Sequence, residues 1–101
     1  MLKKGYYSDK SDGEIKRSIE DEGFSPLIIK DSPGFVYELH SHPATKLLAI
    51  LSGSMEVQVN GEPYSLHPGD RFVIPGNSPH SALVGNEGCV FFWSEKITRD
   101  K

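Results

Sequence analysis

The 101-residue chain has one cysteine, Cys89, so no disulfide can form within it. Its longest uncharged apolar run, Leu47 to Leu51, falls far short of the ~20 residues a membrane-spanning helix needs. There is no basic block and no interleaving of basic with aromatic residues. The net charge is −3, so the electrostatic footprint of a nucleic-acid binder is missing. The start, Met1-Leu2-Lys3-Lys4, has no apolar stretch of the kind a secretory leader carries. A cytoplasmic address, with neither nucleic acid nor membrane as partner, is the expectation. No serine sits in a nucleophile-elbow pattern, and no repeat or low-complexity segment appears.

What the chain has in quantity is turn chemistry. Ten glycines and seven prolines lie mostly between short apolar runs, a distribution that suits strands joined by turns better than a helical bundle. One helix is expected near the start. Ser11-Asp12-Gly13-Glu14 reads as a capping box, Ile15 and Ile19 follow four apart, and Gly23 is placed to end it. That spacing predicts a helix over about 12–22, packed on the outside of a barrel or on a partner chain.

From Phe24 onward the period becomes two. Eight short runs follow: Leu27 to Ile29, Phe35 to Leu39, Lys46 to Leu51, Met55 to Val59, Tyr64 to Leu66, Arg71 to Ile74, His80 to Val84 and Cys89 to Trp93. Turn signals separate them, including Ser52-Gly53, Gly85-Asn86 and Asn60-Gly61, the last a type I′ hairpin signal. An all-β sandwich or barrel follows. We expect one domain over 1–101, with an N-terminal extension and helix over about 1–23 and a barrel over about 24–97. The polar tail, Ile97 to Lys101, is expected to fray.

The sharpest local feature is His40-Ser41-His42 at a strand end. On a strand, residues i and i+2 share a face, so two imidazoles can grip one ion; two exposed turn histidines are the alternative. His80, after the turn Pro75-Gly76-Asn77-Ser78-Pro79, begins a strand that a barrel could bring opposite the pair. His67, before Pro68-Gly69, reads as an exposed turn histidine, and Cys89 as a small buried hydrophobe.

With these residues in place, the sequence resembles the cupin superfamily. Gly34, five residues, His40-Ser41-His42, three residues, Lys46, six residues and Gly53 follow its first motif except that Lys46 stands where the family has Glu. Gly69, five residues, Pro75 and then His80 follow the second, with Asn77 and Val84 replacing its last Gly and Asn. The resemblance implies a cupin double-stranded β-helix (jelly-roll) barrel with a short N-terminal helix. It also implies a divalent metal ion (Fe, Ni, Mn or Zn) held by His40, His42 and His80.

Lys46 shares strand parity with Leu48 and Ile50 and so is expected to point inward. An ammonium about 5 Å from a divalent ion is repelled by about 7 kcal/mol at an effective dielectric near 20. Neutralising it at pH 7 costs about 4–5 kcal/mol. Three arrangements remain. Lys46 bends to solvent or pairs with an acid beside a three-histidine metal; or it forms a metal-free cationic pocket with the histidines; or it is a catalytic base or nucleophile. Glu38, by parity on the face of His40 and His42, is a candidate partner or pocket residue, the alternative being a solvated rim position. Phe72 and Trp93 are candidate pocket walls.

The functional expectation is a small metal-binding cupin, a metal-dependent enzyme of oxygenase or isomerase type acting on a small, anionic molecule. The alternative is a non-catalytic ligand-binding or sensing module with little or no metal. A homodimer is expected on either view, because an apolar edge strand gains from being covered.

Overall fold

The computed structural model describes residues 1–96; the tail at 97–101, and with it the expected end of the barrel at 97, lies outside them. Along the described chain run β1 (Leu2–Lys3), α1 (Asp12–Asp21), β2 (Leu27–Asp31), β3 (Val36–His40), β4 (Thr45–Val59), β5 (Glu62–Leu66), β6 (Arg71–Ile74) and β7 (His80–Lys96).

Two of the expected turns are bends instead. Lys46–Leu51 and Met55–Val59 are the two halves of β4, and His80–Val84 and Cys89–Trp93 are the two halves of β7. Where β4 and β7 cross, their pairing slips between Ile50 and Ser52 and again between Gly53 and Met55. Such bulges bend a strand without ending it. Gly53 has φ +77°, and a Cβ there would collide with the Gly88 carbonyl, so only glycine fits this crossing.

The bends let both long strands serve two layers. The first half of β4 pairs with β6 and with the second half of β7, while its second half pairs with β5 and with the first half of β7. One layer therefore runs β1-β6-β4-β7-β2 and the other β5-β4-β7-β3, all antiparallel. This is a jelly-roll, closed at the Asn60-Gly61 hairpin by positive φ at both residues (52° and 82°).

Alternation sorts the side chains. Leu48, Ile50, Met55, Val57, Phe72, Ile74 and Phe91 fill the space between the layers. Leu47, Ala49 and Phe92 point the other way and are covered by Ile15 and Ile19 of α1, with Tyr7 and Phe24. The helix thus packs on the barrel's outer face. Its start is the expected capping box: Ser11 Oγ accepts from the Glu14 amide at 3.2 Å and Glu14 accepts from the Ser11 amide at 2.8 Å. Its end is a Schellman motif, in which Gly23 (φ +90°) and Phe24 donate to the carbonyls of Glu20 and Ile19. Tyr7 and β1 had no periodic signal. A two-residue strand has none to show, and β1 exists through its pairing with β6.

No helix among the described residues is long and apolar enough to cross a membrane.

Candidate metal centre

His40 and His80 are direct register partners at the end of the β3–β7 pair. His42 follows in the loop to β4, and that loop is pinned against the β6–β7 loop. The Asn77 amide donates to the His42 carbonyl, and a Cβ on Gly76 would collide with the Pro43 carbonyl. Two sequence motifs far apart in the chain therefore meet through backbone contact. The result is a cluster of three imidazoles whose ligand atoms all lie within 4.8 Å of one another.

The protonation of two rings follows from their partners. His80 Nδ1 lies 2.8 Å from the Ser78 carbonyl, and His40 Nδ1 lies against the Glu38 carbonyl. A carbonyl only accepts, so each Nδ1 carries a proton, which leaves Nε2 as the atom that can offer a lone pair to an ion. Burial holds His42 and His80 below the usual imidazole range. Nearby positive charge adds to this, from Lys46 and His40 on His42 and from His40 and Lys46 on His80, while the Ser78 carbonyl opposes it at His80. His80 Nε2 is buried and has no hydrogen-bond partner among the described residues. An orphaned buried nitrogen facing two more imidazoles fits a divalent transition metal or zinc, since these ions prefer such donors.

Lys46 points inward, as strand parity requires, and is 4% exposed. Its ammonium pairs with Glu95, its cross-strand neighbour on β7, and lies 4.6 Å from the centroid of the Trp93 ring. Hydrogen bonding and attraction from Lys46 in turn hold the Glu95 carboxyl below its ordinary range. Pairing with an acid, one part of the first arrangement open to Lys46, is present in the structure.

Glu38 is not that acid. Between Tyr37 and His40 the β3 register slips against β7: three steps on β3 match two on β7. The bulge reverses the parity that would have put Glu38 beside the histidines. Glu38 is exposed and borders an outer groove with Val36 and Leu39, serving the site through its carbonyl alone. Trp93 does line the cavity beneath the histidines, with Tyr37, Leu48, Ile74 and Phe91. Phe72 lies deeper in the core, packed on Tyr64, and does not border that cavity. The cavity holds about 20 Å³, room for little more than one water. His40 and His80 line this same cavity, and the Lys46 ammonium lies over Trp93, another of its lining residues.

The cupin domain family matches residues 27–95, a span from the start of β2 nearly to the end of β7. Dimethylsulfoniopropionate lyase DddW of Ruegeria pomeroyi is 31% identical over 64 residues, covering 63% of this chain and 42% of that protein. The chain thus spans well under half of that relative's length. The structure of KdgF from Halomonas sp. superposes with a TM-score of 0.68 at 27% identity, covering 76% of this chain and 71% of that one. Oxalate decarboxylase of Bacillus subtilis, described for its Mn(II) centres, superposes with a TM-score of 0.65 over 77% of this chain and 22% of that one. At 24% identity it supports the fold alone. Both histidine-bearing motifs and both bent strands, but for the last residue of β7, fall inside the matched span, and the chain belongs to the cupin family.

Proposed function

We propose that this cupin holds one divalent metal ion through His40, His42 and His80 and acts as a metal-dependent enzyme on a small anionic molecule. One observation carries the reading: His80 Nε2 is buried without a partner among the described residues, on a ring oriented by Ser78 and clustered with two other imidazoles. Such a nitrogen costs ~1–3 kcal/mol when left unpaired, and a metal ion removes that cost. The ion would supply Lewis-acid or redox chemistry at positions the three histidines leave open. The chain's own residues do the rest. Ser78 and Glu38 orient the rings through their carbonyls, Trp93 and Ile74 wall off water from below, and Lys46 presents positive charge beside them.

Three neutral ligands leave the ion's full +2 charge in place, which favours an anionic ligand. The likeness to a lyase whose substrate is a propionate agrees with a small carboxylate. It does not fix which one. A non-catalytic ligand-binding protein is the second reading, and the ~20 Å³ cavity favours it, because a space that small does not itself enclose a substrate away from water. Pairing of two copies is part of either proposal. It is supported by exposed apolar side chains on the edge strands β2 and β3 (Leu27, Ile28, Val36 and Leu39), and the mass of the untagged protein in solution tests it.

The metal reading is tested by elemental analysis of untagged protein beside a His80→Ala variant. Near-stoichiometric metal in the parent and its loss in the variant are expected. Absence of metal from the parent after reconstitution with Fe(II), Ni(II), Mn(II) and Zn(II) would refute it.

A further inference from the structure

Lys46 is the one member of the site that departs from the family motif, and its surroundings are asymmetric. An ammonium has three N–H donors. Among the described residues, one donates to Glu95 and another face of the group lies over the Trp93 ring. That leaves at least one donor with no acceptor among the described residues. The Lys46 side chain is 5% exposed, so water cannot freely satisfy that donor, whereas the Glu95 side chain is 54% exposed.

The two halves of this ion pair therefore differ in what it costs to part them. Glu95 sits at the rim and loses little by turning into water, because ion pairs with a solvated partner contribute little. Lys46 cannot follow it. Without Glu95 a buried cation stays behind, beside three imidazoles and above an apolar floor, and requires an anion. A carboxylate that enters where the exposed Glu95 leaves meets that requirement.

We propose that Lys46 is an anion-binding subsite for which Glu95 is the exchangeable counter-ion: a small carboxylate displaces Glu95 and takes its place on the Lys46 ammonium, above the Trp93 ring. Glu95 then does two jobs. It neutralises Lys46 while the site is empty, which lowers the repulsion that would otherwise oppose a metal ion. It also sets a threshold that neutral molecules do not pass. The proposal rests on the metal-centre reading for the ligand's second anchor, but its Lys46–Glu95 half can be tested separately.

Trp93 is the chain's only tryptophan, so its fluorescence reports directly on the ammonium above it. The probe is sodium acetate at constant ionic strength, with acetamide as the neutral control. Both are titrated into zinc-loaded parent, Lys46→Met and Glu95→Gln proteins, and into metal-free parent. A saturable change with acetate and none with acetamide is expected. Lys46→Met should weaken acetate binding about tenfold, the size of one charge-assisted hydrogen bond. Glu95→Gln should instead tighten it, by about threefold or more, because the competing carboxylate is gone. Glu95 is at the surface, so the second variant keeps the test decisive if Lys46→Met fails to fold.

Equal acetate affinity in parent and Glu95→Gln, or no acetate response in the zinc-loaded parent, overturns the proposal. If zinc binds and Lys46→Met leaves acetate affinity unchanged, the subsite falls and the metal centre stands. If zinc does not bind, yet acetate still responds in opposite directions to the two substitutions, the metal reading falls and the subsite stands.

Discussion

Asp70 holds the N-terminal segment to the barrel. Its buried carboxylate accepts from the amides of Gly5 and His67, each at 2.9 Å, with Lys4 Nζ at 3.5 Å. Burial alone would raise its pKa, but those amide bonds outweigh it and, with Lys4, hold the group below its ordinary range. A carboxyl whose folded pKa is depressed stabilises the fold fully above the unfolded value, 3.8 here, and loses that contribution as pH falls through the folded value. Asp70→Asn should cost about 2–3 kcal/mol at neutral pH, because an amide cannot accept from both backbone donors through charged oxygens. It should also flatten the loss of stability below about pH 4. Urea unfolding at pH 7 and pH 3 checks this; an unchanged pH dependence in the variant would refute the assignment. None of this was legible in the sequence, where Asp70 reads only as a turn residue. His40 and His42 were legible because their spacing is local, and His80 because the family's second motif singles it out. Lys46 was legible because the first half of β4 alternates without interruption. Glu38 takes the solvated position that was the alternative to pairing, because one bulge between Tyr37 and His40 reverses parity, and nothing in the residues 36–40 announces it. Glu95 lies 49 positions from Lys46, and only the β4–β7 register brings them together.

Among the elements, α1 was the most legible, since each of its signals is local: a cap, an i,i+4 isoleucine pair and a terminating glycine. Its stability comes from two sources that can be separated. Ile15 and Ile19 bury side chains worth ~1.5–3 kcal/mol each against Leu47 and Phe92, whereas the capping box only satisfies amides at the first turn. Ser11→Ala should therefore lower unfolding stability by about 1 kcal/mol, read as a shift in the urea midpoint without a change in slope. A change in slope would mean that the helix detaches from the barrel in the variant's folded state. The long strands were less legible. A glycine after a serine looks the same in sequence whether it reverses the chain or merely bends it. At Gly53 the decision is tertiary, made by the carbonyl of Gly88 on the crossing strand.

At the scale of the whole molecule, the proposed metal ion would act as a cross-link. β3 is an edge strand, joined to the rest of its layer only through β7, and its pairing there is broken by the bulge next to His40. His40 on β3, His42 in the following loop and His80 on β7 would be tied through one ion. Because the unfolded chain offers no preformed site, binding free energy adds to folding free energy. Zinc at a hundredfold excess over its Kd should add about 2.7 kcal/mol, which for a chain of this size raises Tm by on the order of 10 °C. The increment should vanish in His80→Ala, and it should survive in Lys46→Met, where a positive charge near the ion has been removed. Thermal unfolding followed by circular dichroism, with and without zinc, decides the matter. A Tm that rises equally in the parent and in His80→Ala would place the zinc elsewhere on the chain, and the three-histidine cluster would then owe its geometry to the meeting of two loops alone.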